Sequence, residues 1–318
     1  MPVGNASDGI GLYAGQVMFS ANMNIQHIDW SHDPTEDENF DHWGHLNSTI
    51  LIPNITLGLS DYWNISYSQI IAVRTMGFGP HEESKHHRDE SSLDDFINAN
   101  GGLLGDGKLK FKYLLNNTGM LAGNRTFLSF GLLIPSNNVL TASPFYSDGQ
   151  EVEEHRHFAL SDGNYKGLIE IQYFNKRKNN PVFWGLKLDM QIPFKDSNYG
   201  YSAGKSYALA FSSLFKPNKK IADLGITGLS AGIVLLHTND GYWNDFLDPS
   251  SKSTMIIPSI GGIWKLGKGG VSLNLQNPLL IDGIGMVNEN TLNNDFKAIE
   301  ITIGYRYTLD YVIDWLYF

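Results

Sequence analysis

The chain has 318 residues, no cysteine, 33 glycines, 15 tyrosines, 17 phenylalanines and a formal net charge of −10. An acidic balance argues against nucleic acid as a partner, because a phosphate backbone needs a basic face. The lack of cysteine suits a protein that crosses an oxidising compartment, and no run approaches the roughly 18 consecutive apolar residues of a spanning helix.

No signal peptide stands at Met1-Pro2-Val3-Gly4, so the expectation is a mature form from which a targeting segment has been removed. The first element is predicted at about 12–29. There Val17, Phe19, Ala21, Met23 and Ile25 alternate with Met18, Ser20, Asn22, Asn24 and Gln26. Successive strand side chains point to opposite faces, so a period of two gives one apolar and one polar face. Further strands are predicted at about 44–59, 63–76, 106–115, 125–135, 165–174, 182–194, 204–216, 224–238, 253–266, 270–281 and 295–307. In the last of them Ile299, Ile301, Ile303, Tyr305 and Tyr307 alternate with Glu300, Thr302, Gly304, Arg306 and Thr308. No segment sustains a 3.6-residue apolar period, so little helix is expected.

The connections alternate in length. Short ones fall at 60–62, 116–124, 175–181, 217–223 and 267–269. Long ones fall at 30–43, 77–105, 136–164, 195–203, 239–252 and 282–294. In an antiparallel barrel this puts every long loop on one rim and every short turn on the other, as in outer-membrane barrels. Trp30, Trp43, Trp63, Trp184 and Trp264 fall near predicted strand ends, where interfacial aromatic girdles lie.

The predicted fold is all-β: one antiparallel transmembrane β-barrel of about 12 strands, with long extracellular loops and short periplasmic turns. It occupies 1–318 as a single domain, with a short amino-terminal segment 1–10 and a carboxyl-terminal extension 308–318. In that extension Leu309, Tyr311, Ile313, Trp315 and Tyr317 carry the alternation on towards Phe318, as a longer strand or a packed tail. A soluble β-sandwich or barrel would show the same alternation with its apolar faces turned inward. Alternation alone does not decide which face points in.

If the polar face lines a lumen, the lumen-facing residues are Asn22, Asn24, Gln26, Lys110, Lys112, Glu170, Gln172, Lys187, Asp189, Gln191, Asn274, Gln276, Glu300 and Arg306. Their mixed signs indicate no ion selectivity. A barrel of this size is narrow enough for side chains and an inserted loop to close it.

Nine of the ten histidines lie in the first half of the chain. His86 and His87 fall in the 77–105 loop, and His155 and His157 in the 136–164 loop. Imidazole beside the carboxylates of these loops suits zinc or copper, and the acidic stretches suit calcium. The alternative is two solvated polar loops, since no strict ligand spacing such as H-E-x-x-H is present. His157 and Ser161 also offer a base and a hydroxyl for a lipid hydrolase, without a recognisable signature around them.

Two stretches carry a family likeness. Gly101-Gly102-Leu103-Leu104-Gly105-Asp106-Gly107 leads into Lys108-Leu109-Lys110-Phe111-Lys112-Tyr113. After a turn comes Phe127-Leu128-Ser129-Phe130-Gly131-Leu132-Leu133-Ile134-Pro135-Ser136. This resembles the barrel family associated with the meta-pathway of phenol degradation, distantly akin to fatty-acid and aromatic-hydrocarbon uptake channels. The resemblance implies an outer-membrane channel through which a small hydrophobic or aromatic molecule passes passively, by the lumen or a lateral opening. It implies no required cofactor, and lipid or lipopolysaccharide and the cargo as partners. The fatty-acid type has a long amino-terminal plug, whereas about ten residues precede the first strand here, so a hatch is expected from an inward-folded loop such as 77–105 or 136–164. The alternatives are a barrel enzyme acting on lipid and a closed barrel that displays its loops.

Overall fold

The structure, a computed structural model, describes residues 11–32, 42–78, 102–119, 122–141, 143, 159–248, 251–267, 269–283 and 294–316. The strands are β1 (Gln16–His32), β2 (His42–Gly58), β3 (Trp63–Phe78), β4 (Leu104–Asn117), β5 (Gly123–Ile134), β6 (Tyr165–Lys176), β7 (Phe183–Lys195), β8 (Tyr201–Ser202) and β9 (Ser206–Phe215). They continue as β10 (Ile226–Thr238), β11 (Tyr242–Trp243), β12 (Phe246–Leu247), β13 (Ser253–Leu266), β14 (Gly269–Gln276), β15 (Leu279–Gly283) and β16 (Asn294–Val312). The only helical turns among the described residues are α1 (Lys219–Ala222), capped by Asn218, and a 3₁₀ turn at Asp314–Leu316.

The main sheet has 13 strands in the order β10-β9-β7-β6-β5-β4-β3-β2-β1-β16-β14-β13-β15. Pairing of β10 with β13 joins its ends, so twelve antiparallel strands form a closed wall and β15 is an extra strand on β13. The first and last long strands close on each other from Met18↔Thr308 to His32↔Asn294. Closure gives each wall strand a partner on both sides. The long connections gather at one rim, where β8, β11 and β12 make a small three-stranded sheet. The short connections gather at the other, with Gly11 to Gly15 and Ile313 to Leu316 beside them.

Two sequence expectations are adjusted. The strand predicted over 270–281 divides into β14 and β15, because Pro278 has no N–H to continue the ladder. The carboxyl-terminal extension begins later than 308. Tyr305, Tyr307 and Thr308 are still in register with β1, and Gln16 pairs with Val312. Beyond it, Ile313 donates its N–H to Gly15 O at 2.9 Å and the chain turns.

The polarity of the two faces is opposite to that of a water-soluble protein. Phe19, Ile25, Ile169, Ile171, Leu186, Leu188, Leu273, Leu275, Ile299 and Ile301 are exposed on the outside of the wall. On the other face Asn22, Gln172, Asn274, Gln276 and Thr302 are buried, Gln172 and Thr302 completely. An apolar belt of this extent costs about 25 cal/mol per Å² in water and belongs against hydrocarbon. Trp63, the first residue of β3, packs on Tyr113 with ring centroids 4.7 Å apart, an aromatic pair at the short-turn rim.

The residues before β1 turn into the barrel. The Asn64 side chain accepts from Leu12 N at 3.1 Å and donates to Leu12 O at 3.0 Å. Gly58 has no side chain because a Cβ there would stand 2.0 Å from Tyr13 O. The inward strap at this end is therefore the amino-terminal segment, and its residues 1–10 lie outside the described residues.

Candidate functional site

The site is the barrel interior, its mouth among the long loops, and a break in its wall. Register fixes the inward set: even residues on β1, β2, β3, β4 and β6, odd residues on β5 and β7. The interior divides into three sectors.

The charged sector runs over β4 to β7. Lys108, Lys110 and Lys112 stand two apart on β4, Glu170 and Gln172 on β6, and Lys187, Asp189 and Gln191 on β7. Glu170 is 2% exposed and binds Lys110 Nζ at 2.9 Å and Lys187 Nζ at 3.0 Å. Its Oε1 also accepts from Ser129 Oγ at 3.1 Å and Gln172 Nε2 at 2.9 Å. So many donors satisfy the carboxylate in a site where an unpartnered charge would be costly. Asp189, 2% exposed, accepts from Gln191 Nε2 at 3.4 Å and is an electrostatic neighbour of Lys108 and Lys187.

The second polar sector, mostly amides and hydroxyls, runs over β14, β16, β1 and β2. Gln276 Nε2 donates to Thr302 Oγ1 at 3.0 Å, and Thr302 Oγ1 to Glu300 Oε1 at 3.1 Å. Gln26 Nε2 reaches Glu300 Oε2 at 3.4 Å, and Asn274 Oδ1 accepts from Ser230 Oγ at 2.8 Å. Asn22 is buried and Asn24 partly buried on the same face of β1, while Arg306 is exposed near the short-turn rim. The third sector is apolar: Ala208 and Ala210 on β9, Val234 and Leu236 on β10, and Met255 and Ile257 on β13 form one cluster. The sequence reading missed it, although Val234, Leu236, Met255 and Ile257 keep the inward parity of their strands.

The lower lumen has an apolar floor. Leu12, Met18, Phe127 and Phe174 are all buried there, and Lys112 Nζ lies 5.3 Å from the centre of the Phe127 ring. A Cβ at Gly11 would lie 3.2 Å from Phe127, so the strap rests directly on this ring.

At the opposite end the described parts of the 135–164 connection fold inward. Asn138 is completely buried, accepts at its side chain from Leu160 N at 3.2 Å, and its carbonyl accepts from Ser161 N at 3.0 Å. Arg74 on β3 donates to Ala159 O at 3.0 Å. Beneath this cover lies a cavity of about 320 Å³ lined by Asp106, Leu140, Leu160, Asp162, Tyr201, Trp243 and Asp248, among others. The Tyr201 and Trp243 rings pack with centroids 5.0 Å apart. Burial, then the Asp248 and Asp162 carboxylates, push the Tyr201 phenol above its usual range.

The wall is broken where β14 gives way to β15. The β14–β16 ladder ends at Gln276↔Glu300, and β15 pairs with β13 alone. From Asn294 to Ile299, β16 is paired only with β1. A second cavity of about 260 Å³ fills the gap, lined by His27, Asp29, Asn277, Pro278, Leu279 and Phe296 to Ile299. Phe296 and Ala298 share the inward parity of Glu300, while Lys297 and Ile299, with His27 and Asp29 on β1, have the outward one, so residues of both faces line the cavity.

The proposed metal ligands His86, His87, His155 and His157 lie outside the described residues. Among the described residues no cluster of three His or carboxylate groups could hold a metal ion. Ser161 is buried under the cover, with its Oγ accepting from Gly163 N at 3.0 Å, and does not stand on the lipid-facing wall.

No protein-family model matches the sequence, and a comparison with curated proteins finds no match. The fold does match a solved structure. An outer-membrane channel from Pseudomonas putida F1 aligns with a TM-score of 0.59 and 12% identity, covering 95% of this chain and 98% of that one. The chain has the fold of that channel. The translocator domain of the autotransporter NalP from Neisseria meningitidis aligns over 95% of this chain and 91% of that one, with a TM-score of 0.42 and 10% identity. The toluene transporter TodX of Pseudomonas putida has a TM-score of 0.37 and 8% identity, over 95% and 92%. These two are too distant to carry an argument. The likeness to uptake channels read from Gly101–Gly107 and Phe127–Ser136 therefore holds at the level of the barrel fold.

Proposed function

We propose that this barrel stands in the bacterial outer membrane and passes a small hydrophobic or aromatic molecule passively, without a cofactor. The observation that carries the reading is the break in the wall between β14 and β15, with a cavity lodged at it. Residues of both faces line that cavity where Pro278 interrupts the ladder. A molecule entering from the covered mouth meets Leu140, Leu160 and Trp243. The floor and strap lie between that point and the short-turn rim, so a sideways exit avoids them. The apolar belt supports lipid as the surrounding medium, with lipopolysaccharide at the long-loop rim. The buried position of Ser161 supports transport over hydrolysis.

The test uses cells with an intact lipopolysaccharide layer, with and without the chain, and naphthalene as a fluorescent probe. Faster entry in expressing cells is expected, and equal rates would overturn the reading. In parallel, the purified protein in a planar bilayer reports whether the lumen also conducts ions.

A further inference from the structure

The chain is acidic, with a net charge of −10, but its lumen wall is not. Within the charged sector four lysines, Lys108, Lys110, Lys112 and Lys187, face two carboxylates, Glu170 and Asp189. The formal excess is two positive charges. Elsewhere on the described wall Arg306 and Glu300 stand on β16, Arg74 and Lys166 stand at the mouth with Asp106 and Asp162, and towards the short-turn rim Arg125 and Asp310 share the inward parity with opposite signs, with Lys176 and Lys265 exposed at strand ends. Asp248 remains, above the wall in the loop cover.

The position of this excess matters as much as its sign. β4, which carries three of the lysines, is six strands from β13 in either direction around the ring of twelve. The two strands therefore face each other across the lumen. The apolar set Ala208, Ala210, Val234, Leu236, Met255 and Ile257 spans β9, β10 and β13, so it begins beside the charged strand β7, with Lys187↔Ala210 and Asp189↔Ala208 in register, and reaches the strand opposite β4. A cationic sector thus adjoins a greasy one that extends to the wall opposite β4. In a narrow lumen a neutral hydrocarbon would satisfy only one of them, and an organic cation would meet like charge. A small organic anion with an apolar body satisfies both, its anionic group on the lysines and its body on the aliphatic wall.

We infer that the lumen selects small amphipathic organic anions, such as an aryl or short alkyl group bearing a carboxylate or sulfonate. Anion selectivity arises because the Glu170 carboxylate is shared by Lys110 and Lys187, which leaves net positive charge at the level an ion must pass. This deepens the channel reading by naming the class of cargo that uses the lumen. It rests on that reading for passage, but not for binding.

Benzenesulfonate and benzyltrimethylammonium are suitable probes, being permanently charged aromatic ions of opposite sign. The reversal potential of the purified protein in a planar bilayer is measured under a potassium chloride gradient and then with salts of each probe. Chloride is expected to permeate better than potassium by at least about fivefold, the factor one unit charge at contact distance in water supplies for a single ion. Benzenesulfonate is expected to carry current and benzyltrimethylammonium to carry none. Replacing Lys108→Gln and Lys112→Gln together removes the formal excess of the charged sector and should bring the permeability ratio down towards one. Calorimetry of the detergent-solubilised protein with benzenesulfonate gives a readout that needs no conduction. Saturable binding that the double replacement weakens supports the inference, and a heat-modifiable gel verifies that the variant is folded. Conductance with a cation preference, or equal currents from both probes, overturns the inference while the channel stands. Binding of benzenesulfonate without conductance or hydrocarbon uptake overturns the channel and leaves the anion site. Neither binding nor anion current overturns the inference.

Discussion

The strap at the lower end is held by few contacts, and its release can be calculated. Asn64 is 3% exposed, and its amide makes both of the hydrogen bonds that anchor Leu12, at 3.1 and 3.0 Å. Each such bond contributes about 1 kcal/mol net, so Asn64→Ala should weaken the strap by about 2 kcal/mol. That is about 30-fold in the ratio of free to docked strap. Desolvation of the orphaned Leu12 N–H and C=O acts in the same direction. The cysteine-free sequence offers a direct assay. Leu12→Cys places a single thiol on the strap, and an aqueous maleimide labels it only when the strap leaves the floor. In the Leu12→Cys, Asn64→Ala protein labelling should be about 30-fold faster than in Leu12→Cys alone, with more frequent conductance events in bilayers. Rates within about threefold of each other would refute the clamp, because Phe127 packing alone would then hold the segment.

Further outcomes follow from other parts of the site. Glu170→Gln strands Lys110 and Lys187 beside a neutral amide, and breaking a buried pair in this way should cost about 3–5 kcal/mol in urea unfolding from detergent. A loss below about 1 kcal/mol would mean that lumen water already screens the cluster. Pro278→Val restores an N–H at the wall break and should slow naphthalene entry while leaving ion conductance intact. An unchanged entry rate would place the hydrocarbon route elsewhere. The Tyr201 phenol is raised above its unfolded value by burial and by Asp248, so the folded state holds its proton more tightly. The associated stability is complete below about pH 10 and is lost as pH rises above it, and Tyr201→Phe should flatten the alkaline arm of an unfolding-versus-pH curve. Zinc, copper or calcium should give saturable heat with the wild-type protein if His86, His87, His155 and His157 gather at the loops, and replacing all four with alanine should abolish it for zinc and copper. An absence of heat with the wild type would remove the metal proposal.

The sequence by itself determined the number and spacing of the wall strands. A strand buried on one face repeats every two residues, and the spacings between such segments are local quantities. It also carried the rim asymmetry, because loop length is written directly in the chain. The exceptions have local causes: Pro278 splits one strand, and the last strand runs on to Val312 because β1 has backbone left to pair with it. Tertiary structure alone decided which face points inward, since Asn22 or Thr302 could equally have pointed to water in a soluble barrel. Ring closure also set neighbours that no local pattern encodes. Glu170 joins lysines from β4 and β7, Asn64 clamps Leu12 across 52 positions, and residues of β9, β10 and β13 make one apolar wall. In the linear list the lumen charges look mixed and unselective. Closure of the ring sorts them by angle, and that angular sorting is what gives the lumen a charged side and a greasy side.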